Sequence, residues 1–258
     1  MLSYTALGVN GDTSLRKIQW ACLICFVLTT IAVPTMLEKR PNLSYYMLAR
    51  SNFTAAPIVE FHSQIKSYTL LLLFLLPSTL EHLFAIVFQP IYNKFVAGIG
   101  WHRWVSYVVS APSLVALVIY SIGPGSEIAV TLSIAGLVIV CICMGPIVEY
   151  ATTNDGDIFL FGMGIMVGFT ALFFAFLPVW YYYDRAHIPS DIEPYITAMV
   201  SIITALYWSF GFVPIYIYVR RRIEPNIGHK REMIYCTLSL CAKLPLAWLY
   251  ASMLATRD

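Results

Sequence analysis

Long apolar runs separated by short polar intervals dominate the chain. A helix needs roughly 20 predominantly apolar residues to cross the hydrocarbon core of a bilayer. Seven runs meet that length, at about 18–35, 68–89, 103–122, 127–149, 158–180, 195–219 and 233–255. They consume most of the sequence, which leaves one domain over residues 1–258. The one long polar interval lies at about 36–67, between the first and second runs. Within it, "LSYYMLA" and "PIVEFHSQI" favour β structure and flank the turn-like "RSNFTAA", which predicts a strand pair. The predicted fold is therefore an all-α membrane protein, a seven-transmembrane-helix bundle with a β-strand pair in the long first loop. The polar start "MLSYTALGVNGDTSLRK" leads into a full-length span, so no cleavable signal peptide is expected.

Composition agrees with that pattern. The chain is 59% hydrophobic and 12% charged, whereas soluble domains are about a quarter charged. All six cysteines lie inside proposed spans and read as small packing residues. Cys22 and Cys25 have C-x-x-C spacing, but no βαβ pattern surrounds them. No zinc-ligand spacing, phosphate loop, nucleophile elbow or basic nucleic-acid stripe stands out. The sequence thus points to no enzyme, no metal site and no nucleic-acid partner. Its partner is the lipid bilayer.

Seven spans put the termini on opposite sides. The side of the N-terminus carries Arg16, Lys17, Lys94, Arg103, Arg220, Arg221, Arg222, Lys230 and Arg231. The other carries Lys39, Arg40, Arg50, Lys66, Arg185 and Arg257. An excess of basic residues marks the cytoplasmic side, so the N-terminus is expected in the cytoplasm and the C-terminus outside. The sequons at Asn42 and Asn52 then fall in an outer loop.

Ionisable residues inside spans carry the candidate chemistry, because each costs about 3 kcal/mol or more at bilayer depth. Lys243 lies in the middle of the seventh span, and Glu81 and His82 lie in the second. Side chains lean toward the N-terminus of their helix, which brings the lysine nitrogen toward the depth of Glu81 and His82. One reading is a buried Lys–Glu ion pair that orders the bundle. The other is covalent chemistry, since a desolvated lysine is a good amine nucleophile toward an aldehyde. Ser239 sits one turn before Lys243 on the same face. Aromatic residues of the fifth and sixth spans, among them Phe169, Tyr207 and Trp208, are packing residues or the lining of a pocket for a long conjugated chain.

The stretch "REMIYCTLSLCAKLPLAWLYASML" resembles the seventh helix of the heliorhodopsins, through Glu232, Tyr235, Ser239, Leu240, Ala242, Lys243, Leu246, Ala247 and Trp248. "STLEHL" resembles that family's second helix, with His82 on its histidine, "RWVSY" the start of the third, and "MGPIVEY" the end of the fourth, with Glu149 on its glutamate. The resemblance implies all-trans retinal as a protonated Schiff base on Lys243, an inverted topology and a homodimer. Two positions depart from the family. Its third-helix counterion glutamate falls on Ser106, and no first-helix histidine is present near Cys25 and Phe26. Glu81 is then the candidate counterion, with His82, Ser106, Ser110 and Ser239 as hydrogen-bonding neighbours and Trp208 as a pocket residue. The expected function is photosensory or regulatory. The alternative is a light-gated passive proton channel, with Glu149 and Glu193 as candidate path residues. A further alternative is a seven-span transporter that binds no retinal.

Overall fold

The computed structural model describes residues 9–37, 42–49, 58–123, 127–153, 157–224 and 227–256. Lys39, Arg40, Arg50, Arg257, the turn "RSNFTAA" and its Asn52 sequon lie outside the described residues. Ten elements run in order: α1 (Val9–Leu37), β1 (Asn42–Ala49), β2 (Ile58–Lys66), α2 (Ser67–Val87), α3 (Gln89–Ala97), α4 (Trp101–Ile122), α5 (Ile128–Thr153), α6 (Ile158–Arg185), α7 (Glu193–Arg220) and α8 (Ile227–Thr256). Seven of them, all the helices except α3, are long and apolar enough to cross a membrane.

The spans close into a ring in which α1 touches α2 and α8, and α2, α4, α5, α6, α7 and α8 follow as successive neighbours. The polarity of the bundle is reversed relative to a soluble protein. Leu132, Met166, Phe174 and Val219 are exposed on its outside, where lipid is the solvent, while Ser78, Arg103, Ser110, Glu149, Glu232 and Lys243 are buried inside. Each of the seven spans contains one proline beyond its first turn: Pro34, Pro77, Pro112, Pro146, Pro178, Pro214 and Pro245.

The strand pair is antiparallel, with Asn42 opposite Lys66 and Met47 opposite Phe61, and a bulge between Met47 and Leu48. β1 lies against α5, and β2 runs directly into α2.

Two features differ from the sequence expectation. The short α3 lies between the second and third spans, started by Pro90 in its first turn, where proline's missing N–H costs nothing. It buries Tyr92 and Val96 and exposes Ile91. The last span also begins earlier than position 233, at Ile227, so Lys230, Arg231 and Glu232 are helical. Arg231 and Arg103, read as loop cations, are in fact buried side chains, 3% and 1% exposed.

Candidate functional site

Lys243 sits near the middle of α8, 6% exposed, with Pro245 two residues on. Its Nζ donates to Ser78 Oγ on α2 and to Ser110 Oγ on α4, the latter at 2.8 Å. It lies 4.9 Å from the ring centre of Tyr107 and 5.8 Å from that of Phe74. The amine is therefore pinned between two hydroxyls and two aromatic faces. Each serine lies near a proline of its own helix, for Ser78 follows Pro77 and Ser110 precedes Pro112 by two residues.

The amine opens on a largely apolar cavity lined by Phe74, Trp104, Tyr107, Tyr207, Phe210 and other side chains of α4 to α8. Such aromatic and aliphatic walls around one polar group suit an apolar organic ligand. Tyr207 is fixed by donating to the carbonyl of Ala111 at 2.9 Å. At one end, the Trp104 ring occupies the place where a side chain on Gly145 would stand, for a Cβ there would lie 2.2 Å from the indole.

The other expected site residues take distinct places. Ser239 is buried one turn before Lys243, and its Oγ has no hydrogen-bond partner among the described residues. His82 is 2% exposed and stacks on Phe26 at 5.4 Å, with Nε2 likewise unpartnered among them. Glu81 is half-buried and within electrostatic reach of Lys243, yet it makes no ion pair with it among the described residues. It lines a separate recess between α2 and α4, together with Ser106. Trp208 stacks on Phe169 at 5.3 Å, and Phe169 rather than Trp208 lines the main cavity. Glu193 is exposed in the first turn of α7, where the helix dipole favours an acid.

Glu149 is not a solvated helix-end charge but the centre of a buried network. Arg103 pairs with both Glu149 and Glu232. Arg231 lies 3.3 Å from Glu232 and 3.7 Å from Glu149. Glu149 Oε2 also accepts from Gly100 N at 2.8 Å and from Trp104 Nε1 at 3.0 Å. His102 Nε2 stands 3.6 Å from Glu232, and the Arg103 guanidinium lies 4.0 Å from the ring centre of Tyr235. Two guanidiniums thus balance two carboxylates in a space closed to water. Trp104 touches both this network and the main cavity. Arg231 reaches further, donating to the carbonyls of Val96 and Phe95 and so tying α3 to α8.

Sequence reasoning missed Ser78, His102 and the pairing of Arg103 and Arg231. Opposite charges at the same end of three spans were the available signal. Among the described residues, no cluster of three or more His, Cys, Asp or Glu is arranged to hold a metal ion.

A seven-helix ring with a buried lysine in its last helix, opening on an apolar cavity, defines the rhodopsin architecture. Solved structures agree on that fold. The crystal structure of Exiguobacterium sibiricum rhodopsin matches with a TM-score of 0.71 at 15% identity, covering 95% of this chain and 98% of that one. The thermophilic rhodopsin from Rubrobacter xylanophilus matches at 0.65 and 12% identity, covering 94% and 96%. The light-driven proton pump LR (Mac) from Leptosphaeria maculans matches at 0.60 and 11% identity, covering 98% and 97%. None of the curated proteins compared matches the chain. The heliorhodopsin family model matches residues 14–254, and the chain belongs to the heliorhodopsin family.

Proposed function

We propose that this protein is a photosensory retinal protein in which Lys243 carries the chromophore. The observation that carries the reading is the buried amine of Lys243 in the lining of a largely apolar cavity. Family membership implies retinal, and the residues fit it: one primary amine, aromatic walls and no second cation on the lining. Bound there, all-trans retinal supplies light absorption and an isomerisation. Ser78 and Ser110 hold the nitrogen and orient its proton. Glu81 supplies negative charge at a distance, and Ser239 and His82 offer further hydrogen bonds. Trp104 carries motion from the cavity wall to Glu149, through the bond its indole donates.

The exposed cations Arg220, Arg222 and Lys230 support a cytoplasmic N-terminus. A sensor needs such a face for a downstream partner.

The test is expression with all-trans retinal. A visible absorption band that vanishes in Lys243→Ala is the expected result, and a colourless parent protein would overturn the reading.

Passive proton conduction is a second reading, favoured by the buried carboxylates Glu149 and Glu232 at one end of the bundle. Voltage-clamp recording under light separates the two. A reversal potential that follows the proton gradient, together with loss of current in Glu149→Gln or Glu193→Gln, supports conduction. No photocurrent leaves the sensor.

A further inference from the structure

A recess opens on the lipid side of the bundle between α2 and α4. Leu72, Leu76, Leu80 and Val105 are among its walls, and Glu81, His102 and Ser106 are its polar members. The Ser106 residue and the His102 side chain are each 5% exposed. Ser106 Oγ and His102 Nδ1 have no hydrogen-bond partner, and Glu81 has no hydrogen-bond or ion-pair partner among the described residues. A carboxylate facing lipid without a partner is costly unless water reaches it.

The sequence aligns these groups. His102, Ser106 and Ser110 are spaced four apart on α4, so they share one face, with axial steps of about 6 Å. The upper member, Ser110, accepts from Lys243 Nζ. The lower member, His102, reaches the Glu232 carboxylate with its other nitrogen. A step of that length between hydroxyls is bridged by one water, and a buried water needs two to four polar partners, which this stripe supplies.

We propose that the recess between α2 and α4 is a lateral hydration site, whose waters link Glu81 and His102 through Ser106 and Ser110 to the nitrogen of Lys243. The Lys243 proton exchanges with solvent along it. In heavy water a deuteron enters at Glu81 or His102 and passes through the hydroxyls of Ser106 and Ser110, each accepting one and releasing one. At the end an N–H bond breaks as an N–D bond forms, with no net change of charge. The inference rests on Lys243 as the attachment site.

The experiment is rapid mixing of the retinal-loaded protein into D2O, with resonance Raman detection of the deuterium shift of the carbon–nitrogen stretch. Ser106→Val removes the hydroxyl, matches Ser106→Thr in volume, and should slow exchange by about tenfold or more. Ser106→Thr, which keeps the hydroxyl, should exchange as the parent does. Exchange at the parental rate in Ser106→Val, or equal slowing in Ser106→Thr, overturns the proposal. If Ser106→Val does not form pigment, Val105→Phe at the recess mouth decides. Val105 is 65% exposed, so the fold tolerates the change, and slowed exchange supports the route while an unchanged rate overturns it. A parent without a visible band fails differently, for it removes the reading of Lys243 itself.

Discussion

Replacing Arg103 with methionine should destabilise the bundle more than almost any other single change. Arg103 is 1% exposed and pairs with two carboxylates that are themselves 3% and 1% exposed. Without it, Glu149 and Glu232 share only Arg231, at 3.7 and 3.3 Å. Breaking a buried pair by removing one partner costs about 3–5 kcal/mol, because a charge is left uncompensated. At roughly 2–4 °C per kcal/mol for a chain of this size, the midpoint of thermal unfolding in detergent should fall by about 6–20 °C. Methionine also forfeits the cation–π contacts with Tyr235 and Trp104. The double variant Arg103→Met, Glu232→Gln restores the balance, leaving Arg231 against Glu149. It should be less destabilised than the sum of its singles by about 1–3 kcal/mol. A fall of less than about 2 °C in Arg103→Met, or strict additivity in the double variant, would refute the claim that charge balance holds this end together.

Gly145→Ala drives a methyl group into the Trp104 ring, so it should cost about 1–3 kcal/mol and alter tryptophan fluorescence; an unchanged spectrum and melting point count against it. Glu81→Gln should move the absorption band of the pigment toward the ultraviolet at neutral pH. An unchanged band, with strong chloride dependence in the parent, would instead place a bound anion beside Ser106. Deleting residues 40–64 should weaken a homodimer built on the first loop, and an unaltered mass by light scattering would argue against that assembly.

The seven spans were legible because lipid imposes a length and a composition that hydropathy reads directly. The strand pair was legible for a related reason, as β-branched and aromatic residues gather on either side of "RSNFTAA". The helix α3 was not, since nine residues with Pro90 near the start leave too little apolar length to register. Lys243 declared itself by its cost alone. The charges at span ends did not. Arg103 and Arg231 carry the same sequence signature as the exposed Arg220 and Lys230, and only packing decides which of them turns inward. Ser78 was hidden for the opposite reason, because a serine beside a proline in a membrane helix is unremarkable until the lysine is found against it.

The proline in every span has a mechanical consequence. Proline lacks the amide that would bond the carbonyl four residues earlier, so each span carries a compliant joint at its proline. In α2, α4 and α8 the relieved carbonyls belong to Leu73, Val108 and Cys241, and the joints at Pro77, Pro112 and Pro245 lie within two residues of Ser78, Ser110 and Lys243. A displacement that starts at Lys243 therefore meets its softest resistance at once, on its own helix and on the two to which it is hydrogen-bonded. The half of each helix beyond the joint can swing while the other half keeps its packing.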